Sequence, residues 1–431
     1  MKRPGALAAW LVYLETLHPK AIAMGLERVA AVHAKMGAEL ACPVVTVTGT
    51  NGKGSTCAML ESVTRFAGHR TGLYTSPHLM RYNERVKIAG EALADDALVR
   101  AFNAVEDARG EIPLTYFEYG TLAALWTFAR AGLDVAILEV GLGGRLDAVN
   151  IVDADVAVVT SIDLDHMDYL GPTREDIAYE KAGIFRAGRP VVCAEPDPPS
   201  TLVAHAQAIG APIVEIGRDY GFVAGDGQWQ YRGPAGRRHG LPFPALRGAY
   251  QLANAATVLA VLDLLRDRLH VGAGAIRDGL IAVDLPGRFQ VLPGRPAIVL
   301  DVAHNPHAAR ALAATLESMG HFAETVAVFG MLADKDVGGV IAAVKSRVDR
   351  WFVATLPGPR GASSAGVYAD LVGAGVAPRA IRNFDDVASA FTAARAEVGE
   401  ADRIVAFGSF LTVAATLAAA KPETERAPRN G

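Results

Sequence analysis

Thr48-Gly49-Thr50-Asn51-Gly52-Lys53-Gly54-Ser55 is the stretch on which the fold turns. The apolar, β-branched run Val44-Val45-Thr46-Val47 precedes it, and a helix is predicted over 56–66. A strand, a glycine-rich turn, a lysine and a helix start together make a phosphate cradle. Unpaired amides of the first helical turn point at an anion, the macrodipole favours negative charge there, and Lys53 adds a full positive charge. The strict phosphate-loop spacing puts a glycine five residues before the Gly-Lys pair and a hydroxyl residue directly after it. Here Val47 stands in the first place and Gly54 separates Lys53 from Ser55, so the loop is a variant. The plainer reading is a glycine-rich turn with an exposed lysine, which needs none of this chemistry.

A chain of 431 residues is too long for one core and predicts two domains, each able to bury a substantial one. Apolar residues at 51% and charged residues at 20% mark a globular composition. A net charge of −4 with no Lys/Arg block argues against nucleic acid as a partner. Cys42, Cys57 and Cys193 form neither a CxxC pair nor a metal spacing, which fits free thiols in a reducing compartment. Met1-Lys2-Arg3 and the apolar stretch 5–14 look like a signal peptide, but Glu15, His18, Pro19 and Lys20 follow without a small-residue cleavage site. An amphipathic helix ending near His18-Pro19 fits better. No uncharged apolar run reaches the ~18 residues that span a bilayer, so no membrane is expected and the cytoplasm is the expected place.

Strand-like apolar runs recur at 44–47, 71–75, 135–140, 156–160, 190–194, 297–301, 325–329, 351–355 and 403–407, with helical segments between. Such runs suit parallel sheets covered on both faces. The expected fold class is α/β: a P-loop-type, doubly wound parallel sheet domain followed by a smaller Rossmann-like α/β domain. Segment 221–246, rich in Gly, Pro, Trp and Tyr, reads instead as a hairpin or meander, and a helix is predicted over 251–269. Asp284-Leu285-Pro286-Gly287-Arg288 is a turn-rich break. It gives expected domains 1–288 and 289–420, with 421–431 a frayed tail.

In open parallel sheets, ligands bind past the carboxyl ends of strands. Ser76, after the run 71–75, could ligate magnesium beside a nucleotide, although a turn capped by Pro77 explains it locally. Glu139 ends a buried run and precedes Val140-Gly141-Leu142-Gly143-Gly144-Arg145-Leu146-Asp147, so metal binding would relieve the cost of its burial. Asp163-Leu164-Asp165-His166-Met167-Asp168 packs three carboxylates and a histidine after another strand, or is a polar, capping loop. Glu180-Lys181, by spacing alone, is surface decoration on a helix starting near Thr173. Asp301-Val302-Ala303-His304-Asn305-Pro306 can face a nucleotide across a domain cleft; an Asx-turn accounts for Asn305-Pro306 but not for Asp301 and His304.

These motifs, with Glu84-Arg85-Val86, Leu114-Thr115-Tyr116-Phe117-Glu118 and 286–290, occur in an order that resembles the dihydrofolate synthase/folylpolyglutamate synthase family, relatives of the Mur peptide ligases. The likeness is strongest from Leu26 to Pro306 and looser to Phe410. It implies an amide ligase. ATP phosphorylates an acceptor carboxylate, and the amine of L-glutamate attacks the acyl phosphate. The resemblance also implies roles. Gly49, Thr50, Asn51, Gly52, Lys53, Gly54 and Ser55 cradle the phosphates, and Asn254, Arg288 and Asp301 contact ATP. Ser76, Glu139 and His166 hold Mg2+, with a second Mg2+ supported by a carbamylated Lys181. Lys53, Lys181 and His304 are catalytic. Thr115, Phe117 and Asp147 match a pteroate pocket, Phe117 by stacking. Dihydropteroate and reduced folates are the implied acceptors, and a monomer the implied state. Met167 stands where Thr is common, with little expected effect. A Mur-type ligase acting on a nucleotide-linked peptide would need an N-terminal domain, where about 40 residues precede the cradle. A nucleotide switch would differ by showing no glutamate dependence.

Overall fold

The computed structural model describes residues 3–20 and 22–420; the tail 421–431 lies outside the described residues. The described chain divides into two compact units, one made of residues up to 245 with 251–284, the other of 246–250 with 285 onward.

The strands of the first unit are β1 Val44–Thr48, β2 Thr71–Tyr74, β3 Val86–Ile88, β4 Glu91–Ala92, β5 Val135–Glu139, β6 Val156–Val159, β7 Val191–Cys193 and β8 Ile213–Glu215. They form one sheet in the order β4-β3-β2-β5-β1-β6-β7-β8. From β2 to β8 the pairing is parallel, while β3 and β4 extend one edge as antiparallel strands. Every residue of β1, β5 and β6 is buried, as a sheet covered on both faces requires.

The helix Lys53–Phe66 covers one face and is buried from Ser55 to Thr64. It begins at Lys53, three residues before the predicted start, because Gly52 in the left-handed region (φ 87°) turns the chain directly into the helix. Helix Ala273–Ala282 packs closely on it, Ser62 Oγ donating to the Gly279 carbonyl at 2.8 Å. Around helices Leu7–Thr16, Asp95–Arg109 and Tyr116–Phe128, the core is aromatic. Trp10 meets Phe102 and Tyr119 at centroid distances of 5.8 and 6.1 Å. β9 Gly221–Ala224, β10 Trp229–Gly233 and β11 Gly236–Leu241 make the predicted antiparallel meander. The following helix, Gln251–Leu264, stops five residues short of the predicted end.

In the second unit β12 Gln290–Leu292, β13 Ala297–Asp301, β14 Thr325–Phe329, β15 Arg350–Ala354, β16 Ile381–Phe384 and β17 Arg403–Phe407 form a sheet in the order β12-β13-β17-β14-β15-β16. All pairs are parallel except the β12–β13 edge. Phe329, Trp351 and Phe407 fill its core. Among the described residues, no helix is long and apolar enough to cross a membrane.

Candidate active site

β1 lies centrally, with β5 and β2 on one side and β6 and β7 on the other, so the chain reverses its direction of travel across the sheet beside β1. Such a switch point opens a crevice at the carboxyl ends of the strands. Into it run the loops after β1, β2, β5 and β6, whose ends are in register: Tyr74 beside Leu138, Val47 beside Glu139, Thr48 beside Val159.

The loop after β1 is locked to the loop after β6. Thr50 N donates to the Ser161 carbonyl at 2.7 Å, Asn51 N to Ser161 Oγ at 3.0 Å, and Thr160 Oγ1 to the Asn51 carbonyl at 2.6 Å. Thr50 Oγ1 donates to the Asp163 carbonyl and accepts from its amide, both at 3.0 Å. A Cβ on Gly49, which sits at φ 150°, would collide with Thr160 Oγ1. One on Gly52 would stand 2.9 Å from Asn254 Oδ1. Asn254 therefore reaches the cradle from 200 residues away in the chain, joined by Gln251, which donates to Ser55 Oγ at 3.4 Å. Lys53 Nζ lies over the loop, donating to the carbonyls of Gly49 at 2.8 Å and Thr50 at 3.1 Å. Sequence reading missed Thr160, Ser161 and Gln251. The first two directly follow a strand, a signal obscured by the neighbouring carboxylates.

Ser76 and Glu139 come together: the Ser76 amide donates to Glu139 Oε2 at 3.1 Å. Glu139 is 5% exposed. His166 is on the loop after β6 at φ 53°, its amide donating to Asp165 Oδ1 at 2.8 Å. A non-glycine residue held in this region is a strain that clusters at functional sites. Among the described residues, no group of three or more His, Cys, Asp or Glu side chains stands ready to hold a metal. The Ser76, Glu139 and His166 set contains only two of those types.

Lys181 is no surface decoration. It is 3% exposed, and burial, with Lys53 nearby, pushes its ammonium down to about 7, against an opposing pull from Asp165. The glycine loop after β5 covers it: a Cβ at Gly144 would stand 2.9 Å from the Glu180 carbonyl. Glu180 itself pairs with Arg145 at 2.7 Å.

Phe117 stands against Gly141 and lies 6.2 Å, centroid to centroid, from Tyr74. Asp147 accepts the amides of Gly141, Leu142 and Val149 at 2.9–3.0 Å. Burial raises its carboxyl to about 6, with those amides and Lys53 pulling the other way. The Thr115 hydroxyl caps helix Tyr116–Phe128, accepting from Glu118 N at 3.2 Å, while Glu118 Oε2 accepts Thr115 N at 2.7 Å. Thr115 thus fixes where the helix starts, and with it the place of Phe117.

In the second unit Asp301 ends β13 and accepts the amides of Phe289 and Ala303, each at 2.8 Å. Burial raises its carboxyl; Arg288 and those amides oppose the shift. Arg288 lies over the Phe410 ring at 5.0 Å, and His304 is 6.3 Å from the same ring. Asn305 caps helix Pro306–Ser318.

A lysine-bearing phosphate loop at such a switch point defines a protein that binds a nucleoside phosphate. The chain belongs to the Mur ligase family, within the dihydrofolate synthase/folylpolyglutamate synthases. Residues 47–262 match the Mur ligase middle domain and 287–410 the Mur ligase, glutamate ligase domain. The dihydrofolate synthase/folylpolyglutamate synthase of Escherichia coli K12 is 50% identical over 95% of this chain and 94% of its own. That of Haemophilus influenzae is 42% identical over 96% and 97%. The solved structure of E. coli FolC with DHPP and ADP has a TM-score of 0.90 at 48% identity, covering 96% of this chain and 97% of that one. A bifunctional folylpolyglutamate synthase/dihydrofolate synthase with Mn, AMPPNP and L-glutamate bound has a TM-score of 0.89 at 47% identity, with 96% and 98% covered.

Proposed function

We propose that the protein is an ATP-dependent amide ligase that adds L-glutamate to dihydropteroate and to reduced folates, acting as a cytoplasmic monomer. The observation that carries this reading is the variant cradle 48–55, with Lys53 over it and Glu139 at the end of the neighbouring strand. Relatives solved with ADP and DHPP, and with AMPPNP, Mn and L-glutamate, support it.

A carboxylate is a poor electrophile until one of its oxygens becomes part of a phosphate leaving group. The loop Gly49 to Ser55 cradles the phosphates, and Lys53 exchanges its loop carbonyls for phosphoryl oxygens, neutralising charge that develops in transfer. Ser76, Glu139 and His166 would hold Mg2+, which would supply further neutralisation of the phosphate oxygens. Lys181, buried and easily deprotonated, presents a neutral amine that adds to CO2, releasing a proton and leaving a carbamate. That anion, beside the Lys53 cation, would make Lys181 a support for a second Mg2+. Phe117 and Asp147 shape the acceptor pocket. Asn254 is the first unit's further candidate for contact with ATP; in the second unit Arg288 and Asp301 are the candidate ATP contacts and His304 the candidate catalytic residue. Residues 1–288 carry the nucleotide and acceptor sites, and 289–420 complete the ligase.

Isotope transfer tests the chemistry. With 18O in the acceptor carboxylate, the phosphate released must carry one labelled oxygen, because that oxygen leaves with it. Unlabelled phosphate would exclude an acyl phosphate. A chain limited to polyglutamylation would use a tetrahydrofolate and leave dihydropteroate untouched.

A further inference from the structure

Arg85 is a largely buried arginine to which the described chain gives no acid, and the terminal nitrogens of its guanidinium open to the surface. It closes the short turn Tyr82–Arg85 before β3 and is 9% exposed. Its Nε donates to His78 Nδ1 at 2.9 Å, and its guanidinium lies 5.2 and 5.5 Å from the ring centroids of Tyr82 and Tyr116. Among the described residues, no carboxylate pairs with it. The adjacent acid, Glu84, is taken up by the amides of Leu79, Met80 and Arg81 at 2.7–2.8 Å. Asp95, another acid of this region, pairs with Arg81 at 3.0 Å. The two terminal nitrogens form no hydrogen bond within the described chain, which leaves the planar fork that matches a carboxylate.

The surroundings identify the ligand. His78 lies two residues past Ser76, and Tyr116 sits between Thr115 and Phe117. Arg85 lies against the Tyr116 ring and acts electrostatically on Tyr74, as does Asp147, while Tyr74 packs on Phe117, so the fork adjoins the acceptor pocket proposed above. An arginine can only donate, so Nδ1 of His78 must accept and the ring proton sits on Nε2. Nε2–H is then a second donor next to the guanidinium. Dihydropteroate has one carboxylate, and the reaction uses it. A reduced folate has two on its terminal glutamate: one is extended, and the other stands by, unpaired unless the pocket supplies a cation.

We propose that Arg85, held by Tyr82 and Tyr116 and flanked by His78, binds the standing carboxylate of glutamylated acceptors. This rests on the acceptor class proposed above, and makes Arg85 a determinant of the second activity over the first.

The test is initial-rate kinetics of full-length Arg85→Gln, Arg85→Lys and His78→Ala with dihydropteroate and with a tetrahydrofolate. Arg85→Gln should raise KM for the tetrahydrofolate by about 10- to 100-fold, the effect of losing a charge-assisted pair. KM for dihydropteroate should move by less than about threefold, and Arg85→Lys should recover part of the loss. An equal rise for both acceptors, or no rise, overturns the proposal. Should Arg85→Gln fail to fold in a thermal melt, His78→Ala decides: a raised ratio of the two KM values supports the subsite and an unchanged ratio overturns it. Wild-type enzyme that releases no phosphate in response to glutamate with either acceptor defeats the ligase reading and this one together. Activity on both acceptors with an unchanged ratio in the variants defeats this one alone.

Discussion

Lys181 owes its burial and its lowered ammonium to neighbours that are remote in sequence. Its ordinary value of 10.5 falls to about 7, so the fraction of neutral amine, the form that adds to CO2, grows as pH rises through 7. With 13C-bicarbonate, one carbamate resonance should appear in NMR spectra at pH 8, weaken towards pH 6, and be absent from Lys181→Met. A fully active enzyme without that resonance would remove the carbamate from the account. Lys53→Ala should lower ligation by at least about 100-fold with the fold intact, since it removes charge aimed at the transferring phosphoryl group. Phe117→Ala should raise KM for dihydropteroate more than KM for ATP, because Phe117 packs on Gly141 and Tyr74 rather than on the cradle. Equal changes in both KM values would move Phe117 out of the acceptor pocket. Of these residues, Lys53 was legible from its loop alone. Lys181 was marked by the family resemblance and not by its spacing, because Glu180-Lys181 has the pattern of a solvated helix face, and what buries it is a glycine loop some 40 residues earlier.

Secondary-structure elements were legible where burial is two-sided. β1, β5, β6, β14 and β17 are continuous apolar runs and fell within a residue or so of their predicted bounds. β3, β4, β8, β12 and β16 have two to four residues each, too few for any period to show, and sequence reading passed over them. The helix start at Lys53 was placed late because Gly54 inside the first turn reads as loop. The cradle's rigidity is a property of two loops together. Gly49→Ala drives a methyl group into Thr160, and should cost about 1–3 kcal/mol of stability in urea unfolding while raising KM for ATP. Unchanged stability and unchanged KM would show that the loop after β6 gives way.

Across the whole molecule, strand alternation and motif order were enough to indicate two α/β units and a ligase. Spatial order was not legible: β1 lies between β5 and β6, which follow it by about 90 and 110 residues, and no local pattern encodes that. This placement is what brings Lys53, after β1, near Glu139, at the end of β5, whose carboxylate in turn accepts the Ser76 amide. The central claim is that the cradle and the acceptor pocket serve one reaction, with glutamate as the incoming amine. Phosphate release from ATP, measured with dihydropteroate and then with a tetrahydrofolate, each with and without L-glutamate, tests it most directly. The account predicts release that depends on glutamate with both acceptors. Release indifferent to glutamate, or none with either acceptor, would contradict it.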